Sequence, residues 1–294
     1  MSNTNGKFKI EITEANGKET RVCEYNRLTF SAGEVHVQLQ FDNIPRHFYE
    51  RPTELNIKVT CRLKSSEDIM ELLMVNDAIE NTFRIGFKEL VLYYTPFSRQ
   101  DRVVNLGEAL SIKVFGNLIN TCKFNRVLTF DNHSSVSDAV INNCFEVSQK
   151  TMFDLIFPQG GSNDYFISPD AGANKKTFAI ASEFGLEMIQ ADKKRDLKTG
   201  EIKGTVVHAS TEDLSGTGVI IVDDICDGGR TVIEIAKILK KKGVREISCF
   251  FTHGIFSKGL DVLFDADIDH IYTTNSFKQI DHPKLTILDL NNVS

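Results

Sequence analysis

Val219-Ile220-Ile221-Val222-Asp223-Asp224-Ile225-Cys226-Asp227-Gly228-Gly229-Arg230-Thr231 is the stretch on which the reading of this chain turns. Val219 to Val222 are β-branched in succession, as in a central parallel strand covered on both faces. Neighbouring strand residues point to opposite faces. Two consecutive carboxylates therefore predict that the strand ends at Asp223 and Asp224, where both can reach solvent or a ligand. Gly228 and Gly229 let the backbone curl, and Thr231 reads as the N-cap of a helix. Val232, Ile233, Ile235, Ala236, Ile238 and Leu239 form its apolar face, and Gly243 ends it. Backbone amides in such a loop, at a helix N-terminus, make an anion site. The adjoining carboxylates suit sugar hydroxyls or a metal ion, so a phosphorylated sugar satisfies both halves.

This segment resembles the phosphoribosyl-diphosphate (PRPP) binding motif of type I phosphoribosyltransferases and of PRPP synthetases, and by itself leaves open which. The bulk properties set the frame. The 294 residues allow two ordinary domains or one large α/β domain. With 41% hydrophobic and 25% charged residues, and no apolar run long enough to span a bilayer, the composition is that of a soluble globular enzyme. The start, Met-Ser-Asn-Thr-Asn-Gly-Lys, lacks the apolar core of a secretory signal, so a cytoplasmic location is expected. A net charge of -6 argues against nucleic acid as main partner and leaves room for a local basic site. Cys23, Cys61, Cys122, Cys144, Cys226 and Cys249 show no CxxC or zinc spacing and read as reduced core cysteines.

Strand-like runs recur at residues 8–13, 35–41, 55–59, 89–94, 126–130, 177–181, 219–222 and 246–251, with helical patterns at 66–84 and 110–118. This alternation predicts an α/β fold with mainly parallel sheets. Gln159-Gly160-Gly161-Ser162-Asn163 is the most loop-like stretch near the midpoint, which gives domains at 1–155 and 156–294. Each half ends a strand in an acidic cluster, as a duplicated α/β unit would.

Three further clusters carry chemistry. Tyr94-Thr95-Pro96-Phe97-Ser98-Arg99-Gln100-Asp101-Arg102 follows one strand, and Asp131-Asn132-His133-Ser134-Ser135 follows another. Phe166-Ile167-Ser168-Pro169-Asp170-Ala171-Gly172-Ala173-Asn174-Lys175-Lys176 runs a strand into an acidic turn. Each alone also fits a polar surface loop, and a carboxylate with an imidazole is an accepted metal pair.

In their order and spacing these clusters resemble PRPP synthetase (ribose-phosphate diphosphokinase) over most of the chain. Pro96 to Arg102 match the family's Pro-Tyr-x-Arg-Gln-Asp-Arg, and Asp131-Asn132-His133 its Asp-Leu-His. Ser168 to Gly172 match its Ser-Pro-Asp-Ala-Gly, while Gly107 to Lys113, Thr252-His253-Gly254-Ile255-Phe256 and Thr274-Asn275-Ser276 match further elements. The basic stretch Lys193-Lys194-Arg195, with Lys198 and Lys203, falls on the family's catalytic loop; on residue type alone it is a solvated basic loop.

The resemblance implies two tandem type I phosphoribosyltransferase-like domains and transfer of the β,γ-diphosphoryl group of ATP to the 1-hydroxyl of ribose 5-phosphate. It makes Lys193 and Arg195 catalytic. Asp223 and Asp224 would hold the ribose hydroxyls, in part through Mg²⁺, and Asp227, Gly228, Gly229, Arg230 and Thr231 the 5-phosphate. His133 and Asp170 would hold Mg²⁺. Phe30, Glu34, Arg99, Gln100, Asp101 and His133 would bind ATP, with Phe30 and Glu34 on an adenine-binding hairpin that in the family reaches a neighbouring subunit, which implies a homo-oligomer. Departures from the pattern stand at Ala32, at Val103 and Val104, in Phe256-Ser257-Lys258-Gly259, and at Arg230, where the family places Gly. They keep ADP-ribose open as an alternative acceptor of the same group, as in relatives thought to act in NAD salvage. A PRPP-consuming phosphoribosyltransferase and a non-catalytic regulatory subunit are the other readings.

Overall fold

The computed structural model describes residues 2–50, 53–158, 163–195, 202–209 and 213–293, with backbone only at 2–5, 193–195 and 202–204. The chain divides into two compact units, one ending at Val147 and one beginning at Ser148.

The first unit runs β1 (Ser2–Asn5), β2 (Lys9–Glu14), β3 (Thr20–Cys23), β4 (Tyr25–Thr29), β5 (Val35–Leu39), β6 (Leu55–Cys61), α1 (Ser66–Thr82), β7 (Ile85–Leu92), α2 (Ser111–Thr121), β8 (Arg126–Phe130), α3 (Val136–Val140) and β9 (Cys144–Val147). Among the described residues, its main sheet has the order β3-β2-β6-β7-β8-β9, parallel from β6 onward, and a smaller antiparallel sheet has the order β1-β4-β5. Helix α1 begins in a capping box: Ser65 Oγ accepts from the Asp68 amide and Asp68 Oδ2 accepts from the Ser65 amide. Its inward face, Leu72, Val75 and Ile79, is fully buried with Ile57 and Leu90 of the sheet in one core.

The second unit runs α4 (Gln149–Ile156), β10 (Tyr165–Ser168), α5 (Asn174–Glu183), β11 (Glu187–Arg195), β12 (Ile202–His208), β13 (Gly218–Cys226), α6 (Arg230–Lys241), β14 (Glu246–Gly254), α7 (Asp261–Phe264), β15 (His270–Thr274) and β16 (Leu285–Leu288). Its sheet has the order β12-β11-β10-β13-β14-β15-β16, parallel except where β12 returns against β11. Val219 to Val222 have no exposed surface, as their β-branched run predicts. One face of the sheet is closed by α6 through Val232, Ile235, Ala236 and Leu239. Burying each large aliphatic contributes about 1.5–3 kcal/mol.

Four expectations are corrected. The domain break falls at 147/148 instead of 155/156, because the α4 residue Phe153 packs against Phe166, Phe184 and Phe250 of the second unit. Residues 177–181 form part of helix α5, with Thr177, Ile180 and Ala181 buried at helical spacing and Phe178 exposed. Strand β13 does not end at Asp223. It continues to Cys226 because β14 is equally long and pairs Asp223 with Phe251 and Ile225 with His253. On its other side β13 pairs with β10 only as far as Ile221, so the carboxylate pair has one open flank. Finally, α6 starts at Arg230 after Gly229, whose φ of 72° turns the chain into the helix; Thr231 lies inside the first turn and does not cap it.

Candidate active site

The strand order of the second unit reverses between β10 and β13: the chain leaves β10 toward β11 on one side and β13 toward β14 on the other. Loops diverge at such a switch point, and ligands of open parallel sheets bind outside the carboxyl ends there. Asp170 follows β10, and Asp227, Gly228 and Gly229 follow β13, so two of the sequence clusters meet at this place.

Around Asp170, Oδ1 accepts from the amides of Gly172 (3.0 Å) and Ala173 (3.3 Å), which sets the turn into α5. Asp223 and Asp224 are half-buried. Asp223 Oδ1 accepts from the Asp224 amide (2.9 Å) and Asp224 Oδ1 from the Ile225 amide (2.8 Å). Gln149 Nε2 donates to the Asp223 carbonyl oxygen at 2.8 Å, occupying an acceptor of the open strand. Desolvation, then the charge of Asp224, then that of Asp170 hold the Asp223 carboxyl well above the usual carboxylate range. The Cys226 thiol is pushed up to about 12 by burial and then by Asp223 and Asp227, so it is an inert core thiol.

Lys193 and Arg195 lie in β11, where Lys193 pairs with Thr205 and Arg195 with Ile202, and their side chains are outside the described residues. Lys198 also lies outside them. Arg230 is largely exposed, and its Nε donates to Glu234 Oε1 one helical turn on at 3.1 Å.

The remaining predicted residues stand on the first unit, at the carboxyl ends of the adjacent strands β7 and β8 and on a hairpin. Asp131 is buried at a φ of 41°, which swings the chain off β8, and His133 is exposed. Asn132 is the hub between the two loops. Its Nδ2 donates to Thr129 Oγ1 (2.8 Å) and Asp138 Oδ1 (2.7 Å), its Oδ1 accepts from Thr95 Oγ1 (2.7 Å), and its amide donates to Glu146 Oε1 (2.7 Å). Phe97, at a φ of 63° with its ring 6.1 Å from Phe115, folds back the loop that presents Arg99 and Gln100 at the surface beside the half-buried Asp101. Phe30 and Glu34 close the β4–β5 hairpin: the Phe30 amide donates to the Glu34 carbonyl oxygen (2.9 Å) and the Gly33 amide to that of Phe30 (2.9 Å).

A Phosphoribosyl transferase domain model matches residues 138–278. The ribose-phosphate pyrophosphokinase of Thermococcus kodakarensis is 30% identical over 272 residues, which span 92% of this chain and 90% of that protein. This chain belongs to the ribose-phosphate pyrophosphokinase family. A relative of the same name from Thermosipho africanus is 28% identical over 299 residues, covering 98% of this chain and 89% of that one. The solved phosphoribosylpyrophosphate synthetase of Mycobacterium smegmatis is similar with a TM-score of 0.77 at 20% identity, over 93% of this chain and 88% of that one, which shows a shared fold. As a ribose-phosphate pyrophosphokinase family member the chain is a transferase, built on the type I phosphoribosyltransferase fold.

The donor set fits a hard dication. Asp170, Asp223 and Asp224 are carboxylates close enough to raise proton affinity at Asp223, and Asn174 Oδ1 nearby in the chain is buried without a hydrogen-bond partner. Mg²⁺ takes oxygen ligands and keeps several waters, so these oxygens need not converge on one point. A tighter group, Glu14, Glu19 and His47, lies elsewhere in the first unit and its His47 Nε2 stands 3.4 Å from Glu14 Oε1. Asn132 and Gln149, which tie the loops and the strand end in place, carry no signal of this in the sequence, since an amide's neighbours in the chain do not show what it will bridge.

The raised Asp223 carboxyl has a stability consequence. The folded state keeps a proton that the unfolded chain releases near the ordinary carboxylate value, so metal-free protein loses stability as pH climbs from about 4 toward the folded value. Asp223→Asn is therefore expected to raise the melting temperature in chelator at about pH 8, with the gain shrinking toward about pH 4. A pH-independent difference in thermal melts would refute this.

Proposed function

We propose that this chain transfers the β,γ-diphosphoryl group of ATP to the anomeric 1-hydroxyl of ribose 5-phosphate, giving AMP and PRPP. The observation that carries the reading is similarity over about nine-tenths of their length to relatives named ribose-phosphate pyrophosphokinase, joined to a carboxylate pair beside an anion loop at the sheet's switch point. The 5-phosphate sits on the backbone amides at the start of α6, where the helix dipole favours an anion. Asp223 and Asp224 accept hydrogen bonds from the ribose hydroxyls, which turns the 1-hydroxyl toward the ATP β-phosphorus. That oxygen gives up its proton to solvent and forms the new bond as the bond between the β-phosphorus and its α-bridging oxygen breaks, and AMP leaves with the bridging oxygen. His133, with Arg99, Gln100 and Asp101, positions the nucleotide, and the hairpin at Phe30 and Glu34 covers adenine, across a subunit boundary in a homo-oligomer. Lys193 and Arg195 neutralise charge on the moving group. Asp170, Asp223 and Asp224 are the oxygen donors that would hold Mg²⁺, which when bound would offset the charge of the ATP phosphates.

Ala32, Arg230 and Lys258, which depart from the family's pattern, make ADP-ribose the second acceptor to test. Protein incubated with ATP, Mg²⁺ and either acceptor, with products resolved by mass spectrometry, is expected to give AMP and PRPP with ribose 5-phosphate, and EDTA is expected to abolish both. AMP and a diphosphorylated product formed with ADP-ribose alone would move the assignment to that acceptor. Acceptor-independent AMP, or diphosphate release from PRPP and a base without ATP, would sink the reading.

A further inference from the structure

Among the described residues, Arg230 and Lys258 are cations that neighbour the Asp227–Gly229 turn, and the structure separates their roles. Arg230 belongs to the loop by sequence, yet its guanidinium lies along α6 on Glu234, which also accepts the Thr205 hydroxyl at 2.8 Å. Lys258 is 30 positions away in sequence, yet its stem crosses the loop: a Cβ placed on Gly228 would meet Lys258 Cε at 3.5 Å, Cδ at 3.6 Å and Cγ at 3.9 Å. The segment bearing it is pinned to the same loop. The amides of Ile255 (2.9 Å) and Phe256 (3.1 Å) donate to the Cys226 carbonyl oxygen, and that of Ser257 donates to Asp227 (3.1 Å). Phe256 is buried at a φ of 45°, its ring is 6.4 Å from Phe251, and Lys278 Nζ donates to its carbonyl oxygen at 3.4 Å. Among the described residues, no hydrogen bond or ion pair engages the Lys258 ammonium.

The electrostatics of the place call for such a group. A phosphate monoester dianion set on the α6 N-terminus comes close to Asp223, Asp224 and Asp227, while a helix end supplies only about half a positive charge. A lysine that spans the turn offsets the repulsion and donates to a phosphate oxygen. We propose that Lys258 is the side-chain cation of the acceptor-phosphate cradle, a binding residue that the motif itself does not contain. This deepens the proposed function and rests on its placing of the acceptor phosphate.

Lys258→Met keeps the stem over Gly228 and removes the charge, and Lys258→Arg keeps the charge. Titration calorimetry with ribose 5-phosphate alone, and initial rates with ATP and Mg²⁺, separate binding from turnover. Lys258→Met is expected to raise Kd and KM for ribose 5-phosphate about 10- to 100-fold, the worth of one hydrogen bond to a charged group, with kcat unchanged. Lys258→Arg is expected to recover most of the loss. Wild-type protein that binds ribose 5-phosphate through Lys258 but forms no AMP would defeat the proposed reaction and leave this assignment standing. Equal Kd for wild type and Lys258→Met, or no binding of ribose 5-phosphate to either, would overturn the assignment.

Discussion

Lys193→Ala is expected to lower kcat about 100- to 1000-fold while KM for ATP and for the acceptor changes little, since removing one donor aimed at transition-state charge typically costs about 3–4 kcal/mol of barrier. Phosphoryl and diphosphoryl transfer ask little covalent help of a protein. Alignment and cations placed on the moving group do most of the work, and they act more strongly on the transition state than on bound ATP. The loss should therefore fall on kcat. Lys193 lies in β11, one strand beyond β10 from the carboxylates of β13, on the same sheet. Lys194→Ala, at the intervening position of the Lys-x-Arg pattern, is the comparison and is expected to retain turnover. Steady-state kinetics of both variants give the result, and unchanged kcat in Lys193→Ala would show that the catalytic cation lies elsewhere.

The second large effect lies in the first unit and concerns stability. Glu71 on α1 has no exposed surface, and among the described residues its carboxylate accepts from Tyr25 Oη at 2.7 Å, Arg27 Nε at 2.9 Å and the Lys7 amide at 3.4 Å, with Lys7 Nζ more distant at 4.0 Å. Burial and then the Glu71 hydrogen bond push the Tyr25 phenol well above its usual range, so at neutral pH it is a donor. Tyr25 and Arg27 belong to β4, the strand that leads into the Phe30 and Glu34 hairpin. Glu71→Ala would strand the buried Arg27 with Glu67 at the surface as its remaining ion-pair partner, and removing one member of a buried pair costs about 3–5 kcal/mol. Hydrogen exchange at β4 and α1 amides is expected to quicken accordingly. Glu71→Gln, which keeps the shape and can still accept from Tyr25, is expected to lose less. Exchange in Glu71→Ala within about 1 kcal/mol of wild type would refute the idea that this carboxylate ties the hairpin's strand to α1.

The parts of the site read directly from sequence are those made by neighbouring residues. Four β-branched residues predict a buried strand because each position is apolar whichever face it points to. Gly229 before a run of helical period predicts the turn because only glycine holds its φ of 72° without strain. The apolar stripe of α6 was legible for the same reason. Misreadings arose where local signals conflicted. Residues 177–181, Thr-Phe-Ala-Ile-Ala, are apolar enough for a strand, and only the burial of Thr177, Ile180 and Ala181 beside an exposed Phe178 distinguishes a helix. The extent of β13 depended on the length of β14, a fact outside its own window.

By itself the sequence determined the order strand, acidic pair, glycine turn, helix, together with the other clusters that point to the family, because the conformational preferences involved act over a few residues. Only the tertiary structure decided which charges serve that motif. It turned Arg230 outward onto Glu234 and brought Lys258 and Gln149 onto the loop and the strand end, because a cation's or an amide's role follows from what packing places within hydrogen-bond reach, and those partners come from elsewhere in the fold.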